Sequence, residues 1–104
     1  MTSPTQRSLQ KLRADGYLAE VVERWNPHAR VRHDLFGFVD VIAVRDSEVL
    51  AVQATSRSNV AARVTKIAEH ENLAAVRKAG IRIEVHGWAK MANGRHEVRV
   101  VDVS

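Results

Sequence analysis

The hydrophobic pattern of this chain changes period along its length, and the changes predict its elements. Ser3-Pro4-Thr5-Gln6 joins an N-cap serine, a proline at the first helical position and a glutamine three residues on, the signature of a helix start. Leu9 and Leu12 follow as a thin apolar stripe, and Asp15-Gly16 ends the helix. Tyr17–Trp25 carries Tyr, two Val and Trp; we read it as a strand between the glycine turn and Asn26-Pro27, although Leu18-Ala19-Glu20 would suit a helix equally well. Residues 26–34 form a polar, basic connection. Phe38–Val44 is β-branched and almost wholly apolar, as expected of a strand covered on both faces, and Arg45-Asp46-Ser47-Glu48 turns it into a return strand, Val49–Thr55. Val60–Ala79 has the helical period: Val60, Val64, Ile67, Ala68 and Ala75 share one side, Arg63, Lys66, His70 and Arg77 another, and Asn72 marks a candidate break. Beyond Gly80, Ile81–His86 alternates as a half-buried strand, Asn93-Gly94 is a strong hairpin signal, and His96–Val103 closes the chain as a strand. The order α-β-β-β-α-β-β predicts an α/β (α+β) fold, a mixed sheet flanked by two helices. A crossover through the long helix should lay Ile81–His86 parallel to an earlier strand.

One position breaks the pattern. Asp40 sits inside the apolar run of Phe38–Val44, where a carboxylate is costly to bury unless something compensates. Closing the turn with Val44 opposite Val49 and continuing the register brings Asp40 opposite Gln53. Their Cβ atoms would stand ~5 Å apart, close enough for two oxygen-bearing side chains to share a small cation. The plainer alternative is that Asp40 begins a turn and Gln53 caps a strand end.

Composition narrows the functional classes. The 104 residues amount to one domain with one modest core. There is no cysteine, which removes disulfides, thiolate zinc sites and a cysteine nucleophile. No apolar run reaches membrane-spanning length, and the N-terminus lacks a signal-peptide core. Sixteen Lys and Arg against twelve Asp and Glu give a net charge of +4, mostly arginine, a balance that favours a polyanionic partner. Nucleotide-binding glycine loops, nucleophile elbows and helical metal-binding histidine pairs are missing. His33 beside Asp34 reads as an exposed histidine next to a loop acid. Trp25, Trp88 and Phe36 are apolar anchors suited to a core or an interface.

Three stretches carry a family resemblance: LRADGYLAEVVER, a helix and glycine turn entering a strand; GFVDVIAV, a strand bearing the acid; and LAVQATSRSN, the neighbouring strand. Together they resemble the PD-(D/E)XK nuclease superfamily, most nearly the archaeal-type Holliday junction resolvases found also in phages. The resemblance implies a restriction-endonuclease-like core that hydrolyses phosphodiester bonds in branched or double-stranded DNA. It also implies Mg²⁺ or Mn²⁺ as cofactor, no small-molecule cofactor, no membrane, a homodimer making paired cuts, and a cytoplasmic setting (the host cytoplasm for a phage protein). In that family an Asp and a Glu on adjacent strands hold the metal and a Lys two residues later orients or activates water.

This chain departs from the pattern. Val39 stands at the proline, Gln53 at the second carboxylate and Thr55 at the lysine, while Thr5 and Gln6 occupy the turn that would carry the first helix's glutamate. Asp34 or Glu20 are the acids available to restore the charge, and Lys66, Arg57 or Arg63 the cations available to replace the lysine. The implied catalytic set is Asp40, Gln53, Thr55 and Lys66, with Asp40, Gln53 and Asp34 on the metal and Arg57, Arg63, Lys66 and Arg32 on the nucleic acid. Two alternatives stand beside a nuclease: a catalytically degenerate nuclease fold that binds DNA or a partner, and an unrelated α+β interaction module.

Overall fold

Ser3 opens the first helix as its position requires. Its Oγ accepts the Gln6 N–H at 3.2 Å, and α1 runs Pro4–Ala14 in the computed structural model, which describes residues 2–104. The remaining elements are β1 (Leu18–Val21), β2 (Arg24–Asn26), β3 (Val31–His33), β4 (Val41–Arg45), β5 (Glu48–Ser56), α2 (Val60–Ala68), α3 (Leu73–Lys78), β6 (Arg82–Lys90) and β7 (His96–Asp102). Five strands form one mixed sheet in the order β1-β4-β5-β6-β7, with β5 and β6 parallel and every other pair antiparallel. The β4–β5 register joins Val44 to Val49, as the turn predicts.

Alternation along β5 sorts the core into two layers. Leu50 and Val52 pack with Val41, Ala43, Ala19 and the α1 leucines Leu9 and Leu12. Ala51 faces the other way and packs with Ile83, Val85 and the α2–α3 residues Val60, Ile67, Leu73 and Val76. The sheet is thus covered on both faces, which explains why its central strands are nearly continuous apolar runs.

Three elements carry detail beyond the pattern. Tyr17–Trp25 is two strands, because Val22-Glu23 leaves the main sheet and Arg24–Asn26 pairs with Val31–His33 in a separate hairpin within the expected basic connection. The long helix is divided at the candidate break of Asn72: His70 Nδ1 accepts the Asn72 N–H at 3.0 Å, and the exposed Asn72 side chain donates to Phe36 O at 3.0 Å, so His70 turns in at the break instead of standing on a solvated helix face. α1 also carries a polar anchor that its apolar stripe conceals. Trp88 Nε1 donates to Ser8 Oγ at 2.9 Å, Ser8 Oγ meets His86 Nδ1 at 2.9 Å, and His86 Nε2 meets Glu84 Oε1 at 3.0 Å. An indole can only donate, so the consistent direction runs from Trp88 through Ser8 and His86 to Glu84. This chain pins α1 to β6.

The approach to β4 is a tight turn. Phe36 and Gly37 both have positive φ (57° and 90°), the Phe38 N–H donates to Leu35 O at 3.3 Å, and Leu35 and Val39 exchange backbone hydrogen bonds. These are the marks of a primed turn, which favours glycine at its second central position. The His70 ring lies against Gly37 where a Cβ would project, and its edge meets the Phe38 ring at a centroid distance of 5.3 Å. Gly37→Ala therefore meets both a strained φ and an occupied space. It should destabilise the fold by roughly 2 kcal/mol or more, read as a lower urea midpoint with m unchanged; an unaltered midpoint would show that His70 yields freely.

Candidate functional site

The β4–β5 ladder stops one pair short of Asp40. Its last pair on that side is Val41 with Val52, and the chain bends at Asp40. The Asp40 N–H still donates to Val52 O at 2.9 Å, and its carbonyl accepts the Val22 N–H at 2.8 Å. Its carboxylate reaches further along β5, where Oδ2 accepts the Ala54 N–H at 2.9 Å. Asp40 therefore grips β5 on both sides of Gln53 instead of standing squarely opposite it. The carboxylate supplies the acceptor that β4 ceases to provide, which is why a charged residue belongs at the end of an apolar strand.

The same placement loads the site electrostatically. Asp40 is 5% exposed. Burial pushes its carboxyl up from 3.8 to about 8, helped by the neighbouring carboxyls of Asp34 and Glu23 and a hydrogen bond with Asp34, and opposed by the Ala54 N–H. Glu23 and Asp34 arrive together because they flank the β2–β3 hairpin, one immediately before it and one immediately after. One oxygen from each of Glu23, Asp34 and Asp40 lies within 4.8 Å of the others. On the far side, α2 brings Lys66 Nζ to 3.8 Å from Asp34 Oδ2. Arg32 Nη1 stands 3.3 Å from Glu23 Oε1. Glu23, Asp34 and Asp40 line a cleft of about 520 Å³ together with Thr55, Arg32 and Arg63, with Ser3–Thr5 of the α1 start at its rim; Lys66 reaches Asp34 from outside that lining.

Of the residues singled out in the sequence, Asp40, Asp34, Lys66, Thr55, Arg63 and Arg32 converge here. Gln53 lies in the adjoining strand at 1% exposure and does not line the cleft, and neither its Oε1 nor its Nε2 has a hydrogen-bond partner among the described residues. Arg57 stands apart, in the turn after β5 and against Gly87 of β6, and does not line the cleft. Glu20 faces Arg13 at 3.8 Å on the surface, so it is not the acid that restores the charge. The acid that joins Asp34 and Asp40 is Glu23, which sequence reading missed. The signal was present in the β1–β4 pairing: once Ala19 pairs with Ala43, the next residues carry Val22 to Asp40 and place Glu23 beside it. His33 lies exposed on the hairpin.

The donor set fits a small hard cation. All three candidate ligands are carboxylate oxygens, the chemistry that suits Mg²⁺ or Mn²⁺ over softer metals. Adjacent ligands of Mg²⁺ stand ~3 Å apart and opposite ones ~4.2 Å, so three oxygens within 4.8 Å of one another must draw together to share one ion. The orphaned Gln53 amide, whose isolation costs about 1–3 kcal/mol, has a free acceptor in the strand that Asp40 grips. Among known proteins, no family model matches the chain and no curated sequence matches it. The geometry alone therefore carries the functional argument.

The raised carboxyl fixes a sign for pH dependence. Between about pH 4 and pH 8 the folded state keeps a proton that the unfolded state releases, so stability falls as pH rises through this window and the full penalty applies above it. Asp40→Asn retains an acceptor for the Ala54 N–H and removes the titration. Thermal unfolding in chelator should show wild type losing stability from pH 5 to pH 8 relative to this variant, with the variant the more stable at pH 8. Mn²⁺ should raise the wild-type melting temperature at pH 8 and leave the variant nearly unmoved. Parallel pH profiles for the two proteins would remove Asp40 as the source.

Proposed function

We propose that this chain is a divalent-metal-dependent endonuclease with a restriction-endonuclease-like core, cleaving phosphodiester bonds in branched or double-stranded DNA as a homodimer. The observation that carries the reading is the ammonium of Lys66 beside Asp34 in a three-carboxylate cluster of which Asp40 is buried and Glu23 and Asp34 are half-buried. An acid site that also holds a fixed cation is suited to phosphate chemistry. The mixed sheet, with Asp40 at the end of one central strand and Thr55 on its neighbour, agrees with such a core.

Asp40, Asp34 and Glu23 would hold the metal, with the Gln53 carbonyl as an additional oxygen donor. The chemistry such a metal would supply is polarisation of the scissile phosphate and a lowered pKa for water at the site. The other roles belong to the chain. Lys66 comes from α2 instead of from two residues beyond the second acid, and from its place beside Asp34 it would balance the negative charge that grows on the phosphoryl oxygens during attack. Arg63 and Arg32, lining the same cleft, hold backbone phosphates on either side of the scissile bond and set register without reading sequence. Thr55, buried at the cleft wall, offers a hydroxyl to orient water or a phosphate oxygen. The net reaction is hydrolysis: water oxygen bonds to phosphorus, the bond to the leaving oxygen breaks, and that oxygen takes up a proton.

The test is a cleavage assay on labelled four-way junction, flap and duplex DNA with Mg²⁺, Mn²⁺ or chelator. Wild type should cut only with metal, and Asp40→Asn should abolish cutting. Lys66→Ala should reduce the rate by roughly 10²–10³-fold while leaving binding in chelator within a few-fold. Cutting that persists in Asp40→Asn would falsify the site assignment. Binding without cutting by wild type would identify the fold as a binding module.

A further inference from the structure

We propose that the β2–β3 hairpin is a stacking platform, with Trp25 receiving an unpaired base and leading the attached strand into the acid cleft; this rests on the nucleic-acid reading above and names the substrate feature it selects. Trp25 is 59% exposed on a two-stranded sheet that shares no ladder with the main sheet. Large aromatic side chains stabilise a fold by burial, and an isolated two-stranded hairpin is marginal by itself. An indole left open on such an element contributes little to its own fold, and its free face suits a ligand.

The charge around it says which ligand. Between Glu23 and Asp34 the segment reads RWNPHARVRH: three arginines, two histidines and no acid. Arg24 and all of β3 are exposed with Trp25. The pair register sets Trp25 directly opposite Arg32, so the two share one face of the hairpin. Arg32 is the residue that lines the cleft and touches Glu23. One face therefore runs from an aromatic plane, through a guanidinium, to the acids. An aromatic plane with flanking cations along a path is how proteins hold single-stranded nucleic acid, the ring taking a base and the cations its phosphates.

The hairpin is also pre-shaped. Asn26 Oδ1 accepts the N–H groups of His28 and Ala29 at 3.0 and 3.2 Å, which holds the tip, and Arg30 beyond it is in the left-handed region at φ 54°. In continuous duplex both faces of each base are covered by stacked neighbours. A protruding indole finds a free base face only at a branch, flap or gap. The platform thus favours DNA with unpaired nucleotides beside the cut.

Fluorescence anisotropy in chelator, where cleavage is silent, tests this with two labelled DNAs: a duplex closed at both ends by hairpin loops joined through linkers that present no bases, and the same duplex carrying a short unpaired flap. Trp25→Ala should weaken flap binding by roughly ten- to hundredfold and closed-duplex binding by less than about twofold, and Trp25→Phe should recover most of the loss. Trp25 is exposed, so the variants should fold, and their melting temperatures check this. Equal losses on both DNAs, or none, overturn the platform. A change in oligomeric state on sedimentation with flap binding unaltered also overturns it, in favour of self-association through the hairpin. If wild type cuts DNA with Mg²⁺ but Trp25→Ala binds flap normally, the platform falls and the nuclease reading stands. If wild type binds neither DNA, both fall. Selective loss on the flap without any cutting supports the platform and removes the nuclease.

Discussion

Much of this molecule is organised by one hydrogen bond, from the Ala54 N–H to the buried carboxylate of Asp40. The β4 ladder ends before its neighbour β5 does, and an unpaired backbone donor at the centre of a sheet is expensive. Asp40 satisfies that donor, but only by placing a carboxyl where water is scarce. The strand end and the acid site are therefore one feature. The backbone needs an acceptor there, and the acceptor used is the group whose charge the surroundings resist.

The neighbouring elements can be understood as responses to that position. The β2–β3 hairpin leaves the main sheet at Val22-Glu23 and returns at Asp34, so an excursion of a dozen residues delivers two more acids to the first. The primed turn at Phe36-Gly37, held by His70 and Asn72 from the break between α2 and α3, sets where the chain re-enters the sheet. α2 then contributes Arg63 to the cleft lining and Lys66 to a contact with Asp34. Burial raises the proton affinity of Asp40, and the crowding of Asp34 and Glu23 against it adds to the effect. Cations at the margin and a metal at the centre are the two physical means of relieving the repulsion. Lys66 and Arg32 already supply the first.

The other end of the sheet is secured differently. Ser8, His86 and Trp88 pass a hydrogen-bonded chain between α1 and β6, deep in a layer otherwise filled by Leu9, Leu12 and Val52. A polar network in such surroundings is tolerable only when its members are satisfied, and when satisfied it restricts α1 to one position on the sheet. That matters for the site, because the start of α1 forms one rim of the cleft.

The legible part of the sequence was the part governed by local rules. The Ser3-Pro4 cap, the Gly16 exit, the hairpin register from Val44 and Val49, and the parallel return of β6 all follow from neighbours in sequence or from a fixed period. Asp40 was legible too, because a carboxylate inside an apolar run violates a strong expectation. Glu23 carried no such mark: it sits among polar and apolar residues in ordinary proportion, and only the pairing of β1 with β4 takes it to Asp40. The β2–β3 hairpin was hidden for a related reason, since strands of three residues are too short to show a period. Local chemistry thus determined the elements and the first acid. The tertiary structure decided the rest of the site, because bringing Glu23, Asp34, Asp40 and Lys66 together depends on strand pairing and helix packing across distances no sequence window spans.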